Sequence, residues 1–147
     1  MPRRYVAVCG ASEATAEQLD AAREVGRLLA GAGAVVINGG LGGVSAAASE
    51  GASNAGGTVV GILPDVDRGG ANPHLTISLP TGMGQARNVL IVTAAESVIA
   101  IGEGWGTLSE IATARRLGRP VVALDSWSVK GLETVNSAQE AVRRALG

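Results

Sequence analysis

The chain has 147 residues, of which 46% are hydrophobic and 17% charged, with 12 basic and 13 acidic side chains. That length fits one domain with a sizeable core, and the near balance of charge gives no electrostatic reason to expect nucleic acid or an anionic membrane as a partner. A single cysteine and a single histidine exclude an internal disulfide and a His/Cys metal cluster. With no apolar run of membrane-spanning length and no cleavage pattern after "MPRRYVAVCG", the expectation is a soluble cytoplasmic protein of one domain, residues 1–147.

In chain order, "YVAVCG" (5–10) is a short β-branched apolar run closed by glycine, the pattern of a buried strand. Leu19, Ala22, Val25, Leu28 and Leu29 then recur at helical spacing across residues 14–32, where Gly31 and Gly33 end the pattern. "AVVING" (34–39) predicts a second strand, followed by "GGLGG" and an Ala-rich helix over 44–55. "TVVGILP" (58–64) predicts a third strand, residues 65–73 a mobile polar loop, and "LTISLP" (75–80) a short fourth strand. The remainder predicts a helix over 84–96, a strand over 97–102, a helix over 107–118, a strand over 120–125 and a final helix over 137–146.

Apolar strands alternating with helices predict an α/β fold, a Rossmann-like three-layer sandwich with a parallel β-sheet flanked by helices. Right-handed crossovers place the strand-to-helix turns on one sheet edge, where such folds bind ligands. The turns "CGAS", "NGGLGGVS" and "GEGWGT" all fall there. Glycine-rich turns that lead into helix N-termini let an oxyanion approach unpaired backbone N–H groups. The candidate ligand-binding residues are therefore Gly10, Ala11 and Ser12 in the first turn, Gly39, Gly40, Gly42 and Gly43 in the second, and Gly104, Trp105, Gly106 and Thr107 in the third. Tight strand-to-helix connection is the alternative use of the same glycines. The dinucleotide fingerprint, the nucleoside-triphosphate P-loop and the hydrolase nucleophile elbow are all absent.

Individual side chains leave further alternatives open. "TLSE" (107–110) has the form of a capping box, in which Thr107 caps the helix and Glu110 reaches back to it. The same position also allows Glu110 to face a ligand as base or nucleophile. Arg87, expected at the start of its helix, offers forked donors for phosphate or carboxylate, with Asn88 beside it. Trp105 suits either a flat heterocycle or a protein contact. Cys9 reads as a core residue and His74 as solvent-facing or part of a lid.

"VCGAS", "GGLGGVSAAASEGASNAGGTVVGILP", "ARN" and "GWGTLSEIATA" together resemble the LONELY GUY (LOG) family, also called lysine decarboxylase-like, over about residues 5–125. The nearest resemblance is to its short branch of molybdenum-cofactor carrier proteins. For LOG enzymes, the resemblance implies cleavage of nucleoside 5′-monophosphates, cytokinin riboside monophosphates and AMP among them, by a P-G-G-x-G-T-x-x-E motif and an upstream Arg. Gly104, Gly106, Thr107, Glu110 and Arg87 match those positions. Gly102 replaces the Pro, Glu103 replaces a Gly, and Asn88 stands where the enzymes carry Lys. These departures weaken the fit to a phosphorylated ribose unless Glu103 turns to solvent. The carrier branch implies binding of a phosphorylated pterin without turnover. The resulting expectation is a binding protein for a phosphorylated heterocycle, with Arg87 and Asn88 on the anionic end and Trp105 on the ring. It requires no cofactor or metal of its own, carries the molybdenum cofactor as ligand and forms a homodimer or homotetramer. The alternative is a phosphoribohydrolase in which Arg87 and Glu110 are catalytic.

Overall fold

A computed structural model describes residues 3–147. Seven parallel strands form one sheet in the order β4-β3-β2-β1-β5-β6-β7. They are β1 Tyr5–Gly10, β2 Val35–Asn38, β3 Val59–Leu63, β4 Ile77–Pro80, β5 Ser97–Gly102, β6 Val121–Ser126 and β7 Glu133–Val135. The helices are α1 Ala16–Gly31, α2 Val44–Asn54, α3 Asn88–Ala94, α4 Trp105–Arg116 and α5 Ala138–Leu146, with a 3-10 turn at Gly84–Arg87. The Rossmann-like parallel sandwich expected from the strand-helix alternation is thus the observed fold.

The two-residue period of the strands divides the core. Val6 and Val8 of β1, with Ile99 and Ile101 of β5, pack under α1, α2 and α5. Ala7 and Cys9, with Val98 and Ala100, pack on the opposite face under α3 and α4. Cys9 is therefore placed near the carboxyl end of the central strand, on the face that α4 covers. Helices α1 and α2 touch through small residues: a Cβ on Gly26 would lie 2.0 Å from the Ala48 carbonyl oxygen, and one on Gly51 1.9 Å from that of Arg23.

Side chains fix the helix starts. Thr15 and Gln18 form a reciprocal capping box at α1, with bonds of 3.1 and 3.0 Å, and Ser137 Oγ accepts the Glu140 N–H at α5. Three expectations are corrected. The helix expected over 84–96 is a 3-10 turn followed by a shorter α-helix, so Arg87 sits at the junction of the two. Helix α4 begins at Trp105, two residues earlier than expected, because Gly104 is extended (φ −124°, ψ 154°) and its carbonyl accepts the Leu108 N–H. The three-residue edge strand β7, held in part by an Arg144–Glu133 ion pair, was not expected. Residues 65–73 contain no helix or strand. Their far end is tied down, since Asn72 donates its N–H to Gly40 O at 2.8 Å and its Nδ2 to Leu41 O at 3.1 Å.

Candidate functional site

The carboxyl ends of β2, β1 and β5, adjacent in the sheet, deliver all three glycine-bearing turns to one place. A cavity of about 290 Å³ opens there. Twelve of the fourteen candidate residues line it: Gly10, Ala11, Ser12, Gly39, Gly42, Arg87, Asn88, Gly104, Trp105, Gly106, Thr107 and Glu110. Gly40 and Gly43 do not. Gly40 is buried beneath Leu63 and Leu75, and Gly43 packs on the Ala11–Ser12 backbone. Leu41, Ser45, Gln85, Ile91 and Cys9 complete the lining. Of these, Cys9 had been read as core only, and the others carry no motif that a sequence pass would single out.

The second turn is held by Asn38, a fully buried side chain that sequence reasoning passed over. Its Oδ1 accepts the Gly40 N–H at 2.8 Å, and its Nδ2 donates to Ser49 Oγ at 2.9 Å. Arg87 is 6% exposed and anchored by its own donors. Nε–H bonds the Ile62 carbonyl at 2.8 Å, Nη2 the Gly39 carbonyl at 3.4 Å, and Nη1 both Gln85 Oε1 and Asn88 Oδ1. A Cβ on Gly39 would lie 2.9 Å from Nη2, so a side chain there would push the guanidinium back from this turn. Burial lowers the Arg87 pKa, opposed by the negative charge of Glu110.

The capping box predicted for Thr107 and Glu110 is not formed. Gly104 is the N-cap and, having no side chain, caps none of the first-turn N–H groups. Thr107 lies in the first turn of α4, 2% exposed, and its Oγ1 is buried without a hydrogen-bond partner among the described residues. Glu110, one turn further on and 8% exposed, faces the cavity rather than the helix start. Burial raises its pKa, with the Cys9 thiol and the Arg87 charge pulling the other way. Burial also pushes the Cys9 thiol well up, and the neighbouring Glu110 carboxylate adds to the rise. Arg87 and Glu110 share the cavity without an ion-pair contact among the described residues. The cavity is thus lined by a buried guanidinium together with a carboxyl group and a thiol whose pKa values burial raises.

Trp105 lies at the rim, 79% exposed, with its ring centroid 5.2 Å from that of Trp127 at an angle of 40°. Trp127 Nε1–H donates to the Gly104 carbonyl at 2.9 Å, so this indole fixes the start of α4 from 23 residues away. Glu103 is exposed and does not line the cavity. His74, expected to be solvent-facing or part of a lid, is half-buried with Nε2 3.6 Å from Glu50 Oε2. Among the described residues no group of three or more His, Cys, Asp or Glu side chains gathers to hold a metal ion. No described helix is long and apolar enough to cross a membrane.

A parallel sheet with three such turns and an uncapped helix start around one cavity defines a Rossmann-like fold with a candidate ligand site at the strand ends. The chain belongs to the SLOG cluster4 family, whose model matches residues 3–146. It is 43% identical over 143 residues to an uncharacterized protein of Archaeoglobus fulgidus, covering 97% of this chain and 94% of that one. Its fold is similar to that of the molybdenum cofactor binding protein from Rippkaea orientalis, with a TM-score of 0.93 and 32% identity over 98% of this chain and 96% of that one. The molybdenum cofactor carrier protein from Chlamydomonas reinhardtii gives a TM-score of 0.90 and 26% identity over 99% and 97%. The resemblance to the LOG superfamily and its carrier branch, read from the glycine turns and "GWGTLSEIATA", is borne out.

Proposed function

We propose that the protein binds a phosphorylated heterocycle of the pterin type, the molybdenum cofactor being the carried ligand, and holds it without turnover. The observation that carries this reading is Thr107 Oγ1, a buried hydroxyl left without a partner beside the uncapped N-terminus of α4. Burying a hydroxyl without compensation is unfavourable, and a ligand oxyanion supplies the missing acceptor. The Gly104–Thr107 turn and the Gly10–Ser12 turn take the phosphate, helped by the positive end of α4. The fixed charge of Arg87 adds a favourable potential, and Asn88 holds its guanidinium in place. Glu110, on the cavity floor, is placed to bond the N–H edge of a heterocycle. Trp105 offers a flat face at the rim for the ring. Similarity to two molybdenum cofactor proteins across nearly their whole lengths supports the ligand class.

The protein needs no metal of its own in this reading, because molybdenum arrives with the ligand. Its solution state is a homo-oligomer, formed through the apolar residues that α3 and the turn before it leave exposed, Met83, Val89 and Leu90. The working compartment is the cytoplasm, and neither nucleic acid nor a membrane is a partner.

The test is a titration of Trp105 fluorescence with the pterin phosphate and with the same pterin lacking phosphate, in wild-type protein and Arg87→Met. Saturable binding that requires the phosphate and weakens in the variant supports the reading. Equal binding of both compounds, or none, rejects it. Incubation with AMP, with Glu110→Gln and Arg87→Ala as controls, tests turnover. Free adenine from the wild type alone would assign a phosphoribohydrolase instead.

A further inference from the structure

A second cavity, of about 550 Å³ and more open than the first, lies next to it between α1, α2 and the segment carrying His74. The two share Ser12 as a lining residue. Beside Ser12, Gly43 packs directly on the first turn, where a Cβ would be 2.3 Å from the Ala11 carbonyl oxygen and 2.7 Å from Ser12 Cα.

The first cavity is small for its proposed task. Ligand sites run from about 300 to 1,000 Å³, and about 290 Å³ stands at the bottom of that range. A ligand whose phosphate rests on the glycine turns therefore continues outward, past Ser12, which lines both cavities.

The chemistry of the second cavity points to what lies beyond. Its cations are already matched: Arg23 bonds Glu50 and Asp20, and His74 faces Glu50. Among the described residues no unmatched positive charge lines it to hold a further terminal phosphate. Leu19, Ala14, Ala46 and Ala47 supply an apolar wall suited to a base, and Glu13, without an ion-pair partner among the described residues, offers acceptors for ribose hydroxyls. Apolar surface with a few convergent polar groups is the usual make-up of a small-molecule site, and a nucleoside offers a flat base to the one and ribose hydroxyls to the other.

We propose that the second cavity is a nucleoside subsite, so that the protein takes its heterocyclic phosphate in the form extended through a pyrophosphate to a nucleoside, with the pyrophosphate lying across Ser12 and Gly43. This rests on the pterin-phosphate reading of the first cavity.

The experiment is equilibrium dialysis of the full chain against the mononucleotide form of the molybdenum cofactor and against its guanine or cytosine dinucleotide form, with bound molybdenum measured by mass spectrometry. The expected result is a dinucleotide affinity at least about tenfold higher, roughly one added subsite interaction. Ala46→Phe, which fills the second cavity, erases the difference and leaves mononucleotide binding unchanged. Equal or weaker binding of the dinucleotide by the wild type overturns the proposal, and that comparison needs no variant. A preference that survives in a folded Ala46→Phe protein, its melting curve matching the wild type, overturns it as well. Binding of neither form removes the first-cavity reading and this inference with it, whereas binding of the mononucleotide alone removes only the second.

Discussion

Replacing Thr107 by valine turns the orphaned hydroxyl into a measurement. The residue is 2% exposed and its Oγ1 has no partner among the described residues. Valine keeps the branched shape and nearly the same helix preference while deleting only the hydroxyl. A buried hydroxyl without a partner costs about 1–3 kcal/mol in protein mutational data, so the variant should be more stable than the ligand-free wild type by about 1 kcal/mol. In a chain of this size that raises Tm by roughly 3 °C. A capping threonine would give the opposite sign, a loss of about 1 kcal/mol and a similar fall in Tm. Ligand binding moves the other way. An oxyanion that loses one hydrogen bond loses about 1.5–3 kcal/mol, or roughly 10- to 150-fold in Kd. Differential scanning calorimetry without ligand, paired with a titration, reads both quantities. A lower Tm with unchanged Kd would refute the assignment of Thr107 to the ligand.

Three further outcomes follow from the same geometry. Because burial holds the Glu110 pKa above its unfolded value, the native state keeps its proton longer as pH rises. This contribution is fully present below the ordinary carboxylate range and is lost as pH climbs through the raised value, so Tm measured from about pH 4 to about pH 8 should fall less steeply in Glu110→Gln than in the wild type; identical slopes would contradict the burial. Cys9, buried and with its pKa pushed well up, should react with a thiol reagent at about pH 8 more than roughly a hundredfold slower in the native than in the unfolded protein, and comparable rates would show an open thiolate. Gly51→Ala should destabilise by about 2 kcal/mol in urea unfolding despite alanine's better helix propensity, because the new Cβ would sit 1.9 Å from the Arg23 carbonyl oxygen; a neutral result would mean that α1 and α2 are farther apart.

The strands that position the site were readable because they are buried on both faces. β1, β2, β3, β5 and β6 are continuous apolar runs closed by Gly, Pro or Asp, a signal that lies within each segment. β7 escaped because only Val135 of its three residues is buried, too little for any period. The gathering of the three turns was legible through topology alone, since parallel crossovers bring strand ends to one edge. The start of α4 was not. "TLSE" fits a capping box by spacing, but the Trp127 indole holds the Gly104 carbonyl and helps start the helix two residues earlier. A contact across 23 residues leaves no trace in a local pattern. The anchoring of Arg87 by the Ile62 carbonyl and the shaping of the second turn by Asn38 and Asn72 are likewise products of packing.

The central claim is that the cavity carries a phosphorylated pterin intact, and its most direct test is recovery of the ligand. The protein is loaded with the molybdenum cofactor, passed through gel filtration, held for several hours and denatured, and the released material is separated by chromatography beside a molybdenum analysis. The account predicts about one molybdenum and one intact, still phosphorylated pterin per chain. A chain that emerges without molybdenum, or that returns the pterin cleaved from its phosphate, would contradict it.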